Sequence, residues 1–325
     1  GVAAARIEVV ARGEWEPAVP TADGVAEPAN RRVEVYFKGG EAQEPAISGN
    51  GRFAAFHSFV NMWSALPESR RPIQDDNNSA YDIYVFDLQD QNQATERISR
   101  DSNGVEGNGD SFSPSLSDDG NFVAFYSYAN NLVANDINDT EDVFVKDRST
   151  GATIRVSVAS NGTEGNDDSY DPAISGNGQY VAFRSLASNL VAGDTNESWD
   201  IFVHDLVNQT TERVSVATSG TEADNHSYSP SISDDGRYVV FQSHAGNLVA
   251  SGDANNRWDV FLHDRQTGTT SRINTATSGE ADIHSYAPVI SGDGSFAAFE
   301  SDATNLIAGD TNESKDIFLV DVNSN

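Results

Sequence analysis

The sequence predicts an all-β protein, a β-propeller of five four-stranded blades with about 58 residues per blade. One pattern occurs five times, with its proline at Pro45, Pro114, Pro172, Pro230 and Pro288. A fixed period of this size is typical of repeat architectures. Each of the first four units carries four short strand-like runs, the content of one propeller blade. No segment has apolar residues at sustained helical spacing, so helices should be few.

The fourth unit shows how the residues predict four strands. A short run opens at Pro230 and ends in a tight turn at 234–236, where glycine can adopt a positive φ. Residues 237–241 and 258–262 are rich in β-branched and aromatic residues, which strands prefer, and 271–275 form the fourth run. The connections after the second and fourth strands are long and lie on one face. Binding residues concentrate on such loops.

Charge, cysteine content and hydropathy exclude several kinds of partner and site. The chain has 50 acidic and 20 basic residues and a net charge of −30, whereas nucleic-acid binding requires a basic surface. It has no cysteine, so a disulfide framework and a thiolate metal site are both excluded. It has no run of 18 apolar residues, so we expect no transmembrane helix. We expect a monomer.

The first long loop of every unit reads Asp-x-Asn-x-x-x-Asp. Oxygen ligands at this spacing suit a hard cation such as Ca²⁺. Asp and Asn at these positions also form Asx turns that shape a loop without metal, and both interpretations stay open. The candidate metal ligands are Asp76, Asn78, Asp82, Asp136, Asn138, Asp142, Asp194, Asn196, Asp200, Asp253, Asn255, Asp259, Asp310, Asn312 and Asp316.

Two further features are candidate partner-binding sites. An insertion in the first unit, residues 60–74, brings Met62, Trp63 and Arg70 to an otherwise acidic rim, and Trp and Arg are enriched at binding hot spots. The second long loop ends in a repeated set that should face the mouth of the channel, with His226, Tyr228, His284 and Tyr286 in the fourth and fifth units. The alternative for these four residues is that they pack within the repeat and do not bind a partner. His204 and His263 are expected at the surface.

The repeats resemble the TolB-like propeller family, over residues 44–321. The resemblance is carried by Ser-Pro-Ser-Ile-Ser-Asp-Asp-Gly-Arg-Tyr-Val-Val-Phe at 229–241 and Asp-Ile-Phe-Val-His-Asp at 200–205. It implies a propeller fold and leaves function open, because the fold hosts many roles. The commonest form in that family has six blades, whereas five motifs occur here.

Residues 1–40 differ in composition from the propeller at 41–325. They resemble the end of an OmpA-like peptidoglycan-binding domain, in the stretch 1–14, Glu16-Pro17, and Asn-Arg-Arg-Val-Glu-Val at 30–35. The upstream aspartate and arginine that grip the peptide stem have no counterpart, so peptidoglycan binding is not carried over. The resemblance implies the bacterial cell envelope, in the periplasm or associated with the outer membrane, or secretion.

The sequence favours a non-enzymatic interaction or scaffolding propeller that binds an envelope protein or a glycan on its long-loop face. It contains no Gly-x-Ser-x-Gly, His-Glu-x-x-His or P-loop motif. The alternatives are a polysaccharide-degrading hydrolase or lyase with a site at the channel, and a calcium-stabilised carbohydrate-binding module.

The fifth unit contains three strand runs, so closure of the ring needs a strand from elsewhere. Arg32-Val33-Glu34-Val35 has the form of the other fourth strands. We expect residues 32–37 to pair with 317–320 and close a five-bladed ring. The competing expectation, implied by the OmpA-like resemblance, is that they pair with residues 6–11.

Overall fold

The computed structural model describes residues 7–12, 32–37, 42–59, 77–89, 95–250, 253, 255–276, 279–310, 312 and 314–324. Within these residues the regular structure is β, apart from one 3-10 turn at Val322–Ser324. Two strands precede the repeats, β1 (Ile7–Arg12) and β2 (Arg32–Phe37). None of the described residues belong to a helix that is long and apolar enough to cross a membrane.

Each of the first four units forms one antiparallel sheet whose four strands follow chain order. These strands are β3 (Ala42–Ile47), β4 (Phe53–Phe59), β5 (Tyr81–Asp87) and β6 (Thr95–Arg97); β7 (Ser111–Leu116), β8 (Phe122–Ser127), β9 (Asp142–Asp147) and β10 (Thr153–Arg155); β11 (Ser169–Ile174), β12 (Tyr180–Ser185), β13 (Asp200–Asp205) and β14 (Thr210–Arg213); and β15 (Ser227–Ile232), β16 (Tyr238–Ser243), β17 (Asp259–Asp264) and β18 (Thr269–Arg272).

The fifth unit forms a sheet of three strands. After the two-residue strands β19 (Thr275–Ala276) and β20 (Gly279–Glu280), it contains β21 (Ser285–Ile290), β22 (Phe296–Ser301) and β23 (Asp316–Asp321). The predicted all-β propeller of repeated four-stranded sheets is confirmed, with a fifth sheet that is one strand short among the described residues.

Apolar side chains from consecutive sheets form the core. Ile201 and Val203 of β13 are 0% and 1% exposed and belong to one cluster with Val239 and Phe241 of the next sheet. Full burial of such a side chain stabilises the fold by about 1.5–3 kcal/mol. The middle strands are apolar at nearly every position because sheets pack against both of their faces.

A serine holds the hairpin between the first and second strands of each unit. Ser233 Oγ donates to Asp235 Oδ1 over 2.7 Å and accepts the backbone N–H of Tyr238 over 3.0 Å. Gly236 has a φ of 74°, a left-handed conformation that glycine adopts without steric cost. The tight turn predicted at 234–236 is confirmed.

Successive hairpin turns contact each other at one end of the sheets. The N–H of Asp118 donates to the carbonyl of Gly176, and the N–H of Asn177 donates to the carbonyl of Asp234, both over 2.9 Å. A Cβ on Gly176 would lie 2.6 Å from Asp118 Oδ2 and 2.5 Å from Asp234 Oδ1. Glycine and aspartate alternate at this turn position because each carboxylate fills the space beside a glycine: Gly49, Asp118, Gly176, Asp234 and Gly292.

A bulge interrupts the first strand of each unit just before its proline. In β15 the register shifts between Tyr228 and Ser231, and Ser229 has a φ of 54°. Proline is tolerated beside a bulge because the ladder is locally interrupted and needs no N–H there. The first strand therefore begins at Ser227, before the predicted start at Pro230. The same left-handed conformation recurs at Glu44, Ser113, Asp171 and Ala287.

The expected closure of the ring by residues 32–37 is wrong. β2 pairs with β1, with Val33 opposite Ala11 and Val35 opposite Val9. This pairing closes a loop of about 20 residues, which has a lower entropic cost than the loop of about 280 residues that ring closure would require. It is the pairing that the OmpA-like resemblance implies.

The expectation that His204 and His263 lie at the surface is also wrong. They are 1% and 5% exposed, because both faces of the third strand are covered. His204 Nδ1 lies 2.9 Å from Thr211 Oγ1. In the second unit Lys146 occupies this position and donates to Thr153 Oγ1 over 3.0 Å.

Candidate functional site

In each of the four four-stranded sheets, which we call the full sheets, the acidic loop forms an ion pair with an arginine on the fourth strand. In the third sheet Asp200 accepts hydrogen bonds from Ser215 Oγ at 2.5 Å, Asn196 Nδ2 at 2.9 Å and Arg213 Nη1 at 3.1 Å. Asp200 is 0% exposed, and burial raises its pKa. We call this group of Asp, Asn and Arg, with its Ser or Asn, the Asp–Arg knot.

Two more carboxylates surround the same guanidinium. Arg213 Nη1 lies 3.2 Å from Asp194 Oδ1 and 2.9 Å from Glu222 Oε2. Burial raises the pKa of Asp194 to about 6. The guanidinium therefore supplies, in this loop, the positive charge that a calcium ion would supply in the metal-binding interpretation. Asn196 Oδ1 also accepts the N–H of Ser198 over 2.9 Å, which is the Asx turn of the alternative interpretation.

The knot recurs in the other full sheets. In the second sheet Arg155 Nη1 lies 2.9 Å from Asp142 and 3.3 Å from Asp136. In the fourth sheet Arg272 Nε lies 3.3 Å from Asp259. The remaining members are Asn138, Ser157 and Glu164 in the second sheet, Asn274 and Glu280 in the fourth, and Asp82, Arg97, Ser99 and Glu106 in the first. In the first and fourth sheets the loop asparagine donates instead to a backbone carbonyl: Asn78 to that of Gly107, and Asn255 to that of Ala281. Asp253 lies in the same loop as Asn255.

Calcium binding at these loops stays a prediction. Asp76 lies outside the described residues, and no group of three or more His, Cys, Asp or Glu residues in the described part of the chain has a geometry suited to a metal ion. The fifth loop, with Asp310, Asn312 and Asp316, keeps the Asn-to-Asp hydrogen bond at 3.1 Å. Among the described residues it has no arginine partner.

A row of aromatic rings crosses the long-loop end of four sheets. Consecutive ring centroids lie 5.0 to 6.4 Å apart, within the range of aromatic contact. Every ring in the row is partly exposed. The members of this aromatic row are Tyr81, Phe112, Tyr126, Tyr170, Trp199, Tyr228 and Trp258.

Arg184 lies in the middle of the aromatic row. Its guanidinium carbon is 5.2 Å from the ring centre of Tyr170, 4.9 Å from that of Trp199 and 5.0 Å from that of Tyr228. Its Nε lies 3.0 Å from Asp171 Oδ2. One cation in contact with three aromatic rings orders this part of the rim.

The position of Arg184 is where the repeat loses its symmetry. It lies on the second strand, directly opposite the first-strand aromatic residue, Tyr170. The equivalent residues, which also face the first strand, are His57, Tyr126, Gln242 and Glu300. Five different side chains at one repeated position show that the packing of the repeat does not fix the residue type there.

A pair of carboxyl groups lies beside Tyr170. Burial, and a hydrogen bond that the protonated Asp168 carboxyl donates to the Glu141 carboxylate, raise the pKa of Asp168 to about 6. The pKa of Glu141 is lowered; burial opposes this shift, and hydrogen bonds with Asp168, Tyr128 and Tyr170 outweigh it. The two carboxyl groups therefore share one proton below about pH 6 and lose it as the pH rises to neutral.

The predicted partner-binding residues of the second long loop have a structural contact. The Nδ1 atoms of His226 and His284 accept the backbone N–H of Trp199 and Trp258, both over 3.0 Å. In the first unit the N–H of Tyr81 donates to an aspartate, Asp110, instead. Tyr228 belongs to the aromatic row, and Tyr286 packs against His284 with centroids 5.6 Å apart. Their role in partner binding stays a prediction.

The predicted insertion contacts, Met62, Trp63 and Arg70, lie outside the described residues and stay a prediction. Sequence reasoning missed Arg184, Trp199 and Trp258. The available signal was the second-strand position that changes in every unit, together with the two tryptophans just before the third strand. Both are visible only when the units are aligned by strand.

Comparisons with known proteins show the fold. No family model matches the sequence, and no curated protein matches it. Similar solved structures include TolB from Acinetobacter baumannii, with TM-score 0.49, 17% identity and coverage of 85% of this chain and 53% of that one. A putative TolB from Agrobacterium tumefaciens has TM-score 0.52 and 13% identity, over 90% of this chain and 81% of that one.

An oligogalacturonate lyase from Vibrio parahaemolyticus is also similar, with TM-score 0.50 and 10% identity, over 91% of this chain and 67% of that one. This chain spans about half the length of the Acinetobacter TolB. The structural neighbours are thus TolB-like β-propellers and other propellers at low identity. Such identities show a shared fold and say nothing further about activity.

Proposed function

We propose that this protein is a non-enzymatic interaction propeller of the bacterial cell envelope that binds a protein partner on its long-loop face. The observation that carries the proposal is Arg184, held between three partly exposed aromatic rings of the aromatic row. Trp, Tyr and Arg are the residues most enriched at binding hot spots. Preordered side chains lose little entropy on binding, which favours affinity.

The net negative charge of the chain favours a partner with a basic surface. A net charge of −30 repels acidic surfaces and increases the rate of association with basic ones. We therefore assign the row a partner that has a basic surface around an apolar or aromatic contact. The envelope location is supported by the OmpA-like resemblance of residues 1–40.

A second candidate is a glycan-directed function, favoured by the carboxyl pair beside Tyr170 and by the fold shared with the oligogalacturonate lyase. Hydrolysis of a glycoside requires carboxyl groups about 5 to 9.5 Å apart, so that a sugar or a water fits between them. Glu141 and Asp168 are hydrogen-bonded to each other, which is closer than this chemistry allows. A binding role for this pair is therefore favoured over hydrolysis.

The test compares two arginines in matched settings on opposite faces. Arg237 also lies over a tyrosine, 4.6 Å from the ring centre of Tyr238, and its Nη2 is 2.8 Å from Asp264, but it lies at the short-turn end. Cross-linking and mass spectrometry with envelope extract should place the partner contacts on the long-loop face. Arg184→Gln should remove them and Arg237→Gln should leave them.

The same variants are incubated with a polysaccharide panel that is scored for binding and for new reducing ends or unsaturated products. Product formation that Arg184→Gln abolishes would replace the proposal with the enzymatic alternative. Partner contacts that survive Arg184→Gln, or that lie on the short-turn face, would contradict it.

A further inference from the structure

Among the described residues, the third strand of the fifth sheet is paired along one edge only. β23 pairs with β22 on one side, with Phe318 opposite Phe299. In the third sheet the equivalent strand, β13, also pairs with a fourth strand on its other side. Within the described residues no strand pairs with the outer edge of β23. An unpaired edge presents a row of N–H and C=O groups that another strand can join.

Apolar side chains beside this edge are uncovered. Ile317 and Leu319 of β23 are 71% and 69% exposed, whereas their equivalents in β13, Ile201 and Val203, are 0% and 1% exposed. A cleft of about 540 Å³ follows the strand and reaches the acidic loop at Asp310. The fifth sheet therefore offers both a backbone edge and an apolar face.

The acidic loop beside the edge has the acceptor half of an Asp–Arg knot. Asp316 begins β23 as Asp200 begins β13, and each accepts a hydrogen bond from the asparagine four residues earlier. Asp200 also binds Arg213 and Ser215 of the fourth strand. Among the described residues, Asp316 has no such arginine.

We propose that the free edge of β23 is an acceptor for an extended strand of a partner polypeptide that carries Arg, then Val or Ile, then Ser or Asn. The arginine binds Asp316, and the Ser or Asn two residues later binds its other oxygen. The branched residue between them covers the apolar face. The four full sheets supply the template: Arg97-Ile98-Ser99, Arg155-Val156-Ser157, Arg213-Val214-Ser215 and Arg272-Ile273-Asn274.

A second copy of this chain fits the edge less well. Its strands of this form, β6, β10, β14 and β18, are already paired within their own sheets, and their arginines are already bound to aspartates. The net charge of −30 also disfavours a second acidic copy and favours a strand with a basic residue. Strand addition of this kind takes its affinity from main-chain hydrogen bonds and its specificity from side-chain pockets.

The probe is a fluorescein-labelled peptide with the sequence of residues 208–217, Asn-Gln-Thr-Thr-Glu-Arg-Val-Ser-Val-Ala, measured by fluorescence anisotropy against the full chain. Saturable binding is expected, with protection of residues 316–321 from hydrogen exchange. A peptide with Gln in place of its arginine should bind at least about tenfold more weakly, because the Asp316 carboxylate, once covered by the peptide, would lack its charged partner.

Asp316→Asn should weaken binding of the peptide to a similar extent, and Leu319→Lys, at an exposed position, should weaken it independently. The matched control is Asp293→Asn at the hairpin end of the same sheet, where two other units already have Asn50 and Asn177. It should leave binding unchanged.

Three outcomes would overturn the proposal. The first is no saturable binding of the peptide at millimolar concentration. The second is binding that neither Asp316→Asn nor the Gln peptide affects. The third is dimerisation of the chain alone in sedimentation velocity that Leu319→Lys abolishes, since a second copy would then be the occupant.

Discussion

The backbone N–H of Trp199 donates to Nδ1 of His226 over 3.0 Å, and in the first unit the N–H of Tyr81 makes the same bond to Asp110 over 2.7 Å. Histidine and aspartate thus serve as interchangeable acceptors at one repeated position. His226→Asp should retain most of the stability, whereas His226→Leu should lose about 1 kcal/mol, because the N–H is left without its acceptor. Urea unfolding at pH 7.5 measures both. Equal loss in the two variants would contradict this role.

The second prediction concerns the pH dependence of stability at His204. Burial lowers its pKa to about 4, so the folded state holds the ring neutral while the unfolded state takes up a proton near pH 6.5. The contribution to stability is complete above pH 6.5 and is lost as the pH falls toward 4, by up to about 3 kcal/mol. His204→Gln should lose less stability between pH 7 and pH 4.5 than the parent. Parallel pH profiles would contradict the assignment.

The third prediction concerns the cost of breaking an Asp–Arg knot. Arg213→Gln should destabilise the protein by about 3–5 kcal/mol, since it leaves the buried Asp200 without its charged partner. Arg52→Gln is the matched control, because Arg52 also binds an aspartate, Asp87, but with 47% of its side chain exposed. The loss of stability in this control should be much smaller, because solvent screens an exposed ion pair. Similar losses in the two variants would show that the knot is not a stabilising element.

Calcium binding at the acidic loops gives a separate prediction. An ion that binds only the folded state raises the melting temperature by mass action, so chelation should lower it. Melting curves are compared with millimolar calcium and with chelator at matched ionic strength, because salt alone relieves repulsion at a net charge of −30. Identical curves would contradict the calcium interpretation and leave the arginines as the cations of these loops.

The fifth prediction concerns the space beside Gly176. Gly176→Ala places a methyl group within 2.6 Å of carboxylate oxygens of Asp118 and Asp234 and should cost about 1–3 kcal/mol. The double variant with Asp234→Gly should recover part of this loss, since one of the two obstructing side chains is gone. Additive losses in the double-mutant cycle would show that the two positions are not coupled.

The repeat and its strands could be predicted from the sequence, because hairpin glycines and branched residues set the backbone conformation at their own positions. The acidic loops and the Arg-Val or Arg-Ile runs were each visible as well. Their pairing was not inferred, although in three sheets the aspartate precedes the arginine by 13 residues. Arg32-Val33 supplied a fifth run of this form, which is why residues 32–37 were expected to complete the fifth sheet.

The aromatic row and the ring closure were harder to predict for a different reason. Each of four units supplies only one or two rings of the row, so the convergence of these rings depends on tertiary packing. The closure was misjudged because residues 32–37 have the strand pattern that either pairing requires, and a sequence pattern does not rank a local partner against a distant one. The left-handed conformation at Ser229 was equally hidden, since serine carries no preference for it.

The alternation of glycine and aspartate at the hairpin turns limits how the propeller can change size. Removing one unit from the interior would place two aspartates or two glycines side by side. Two adjacent aspartates would compete for one space, and two adjacent glycines would leave a gap. Removing or duplicating two adjacent units would keep the order intact. The unit that recombination can add or delete without penalty is therefore a pair of blades, and chimaeras of this protein should be designed in steps of two.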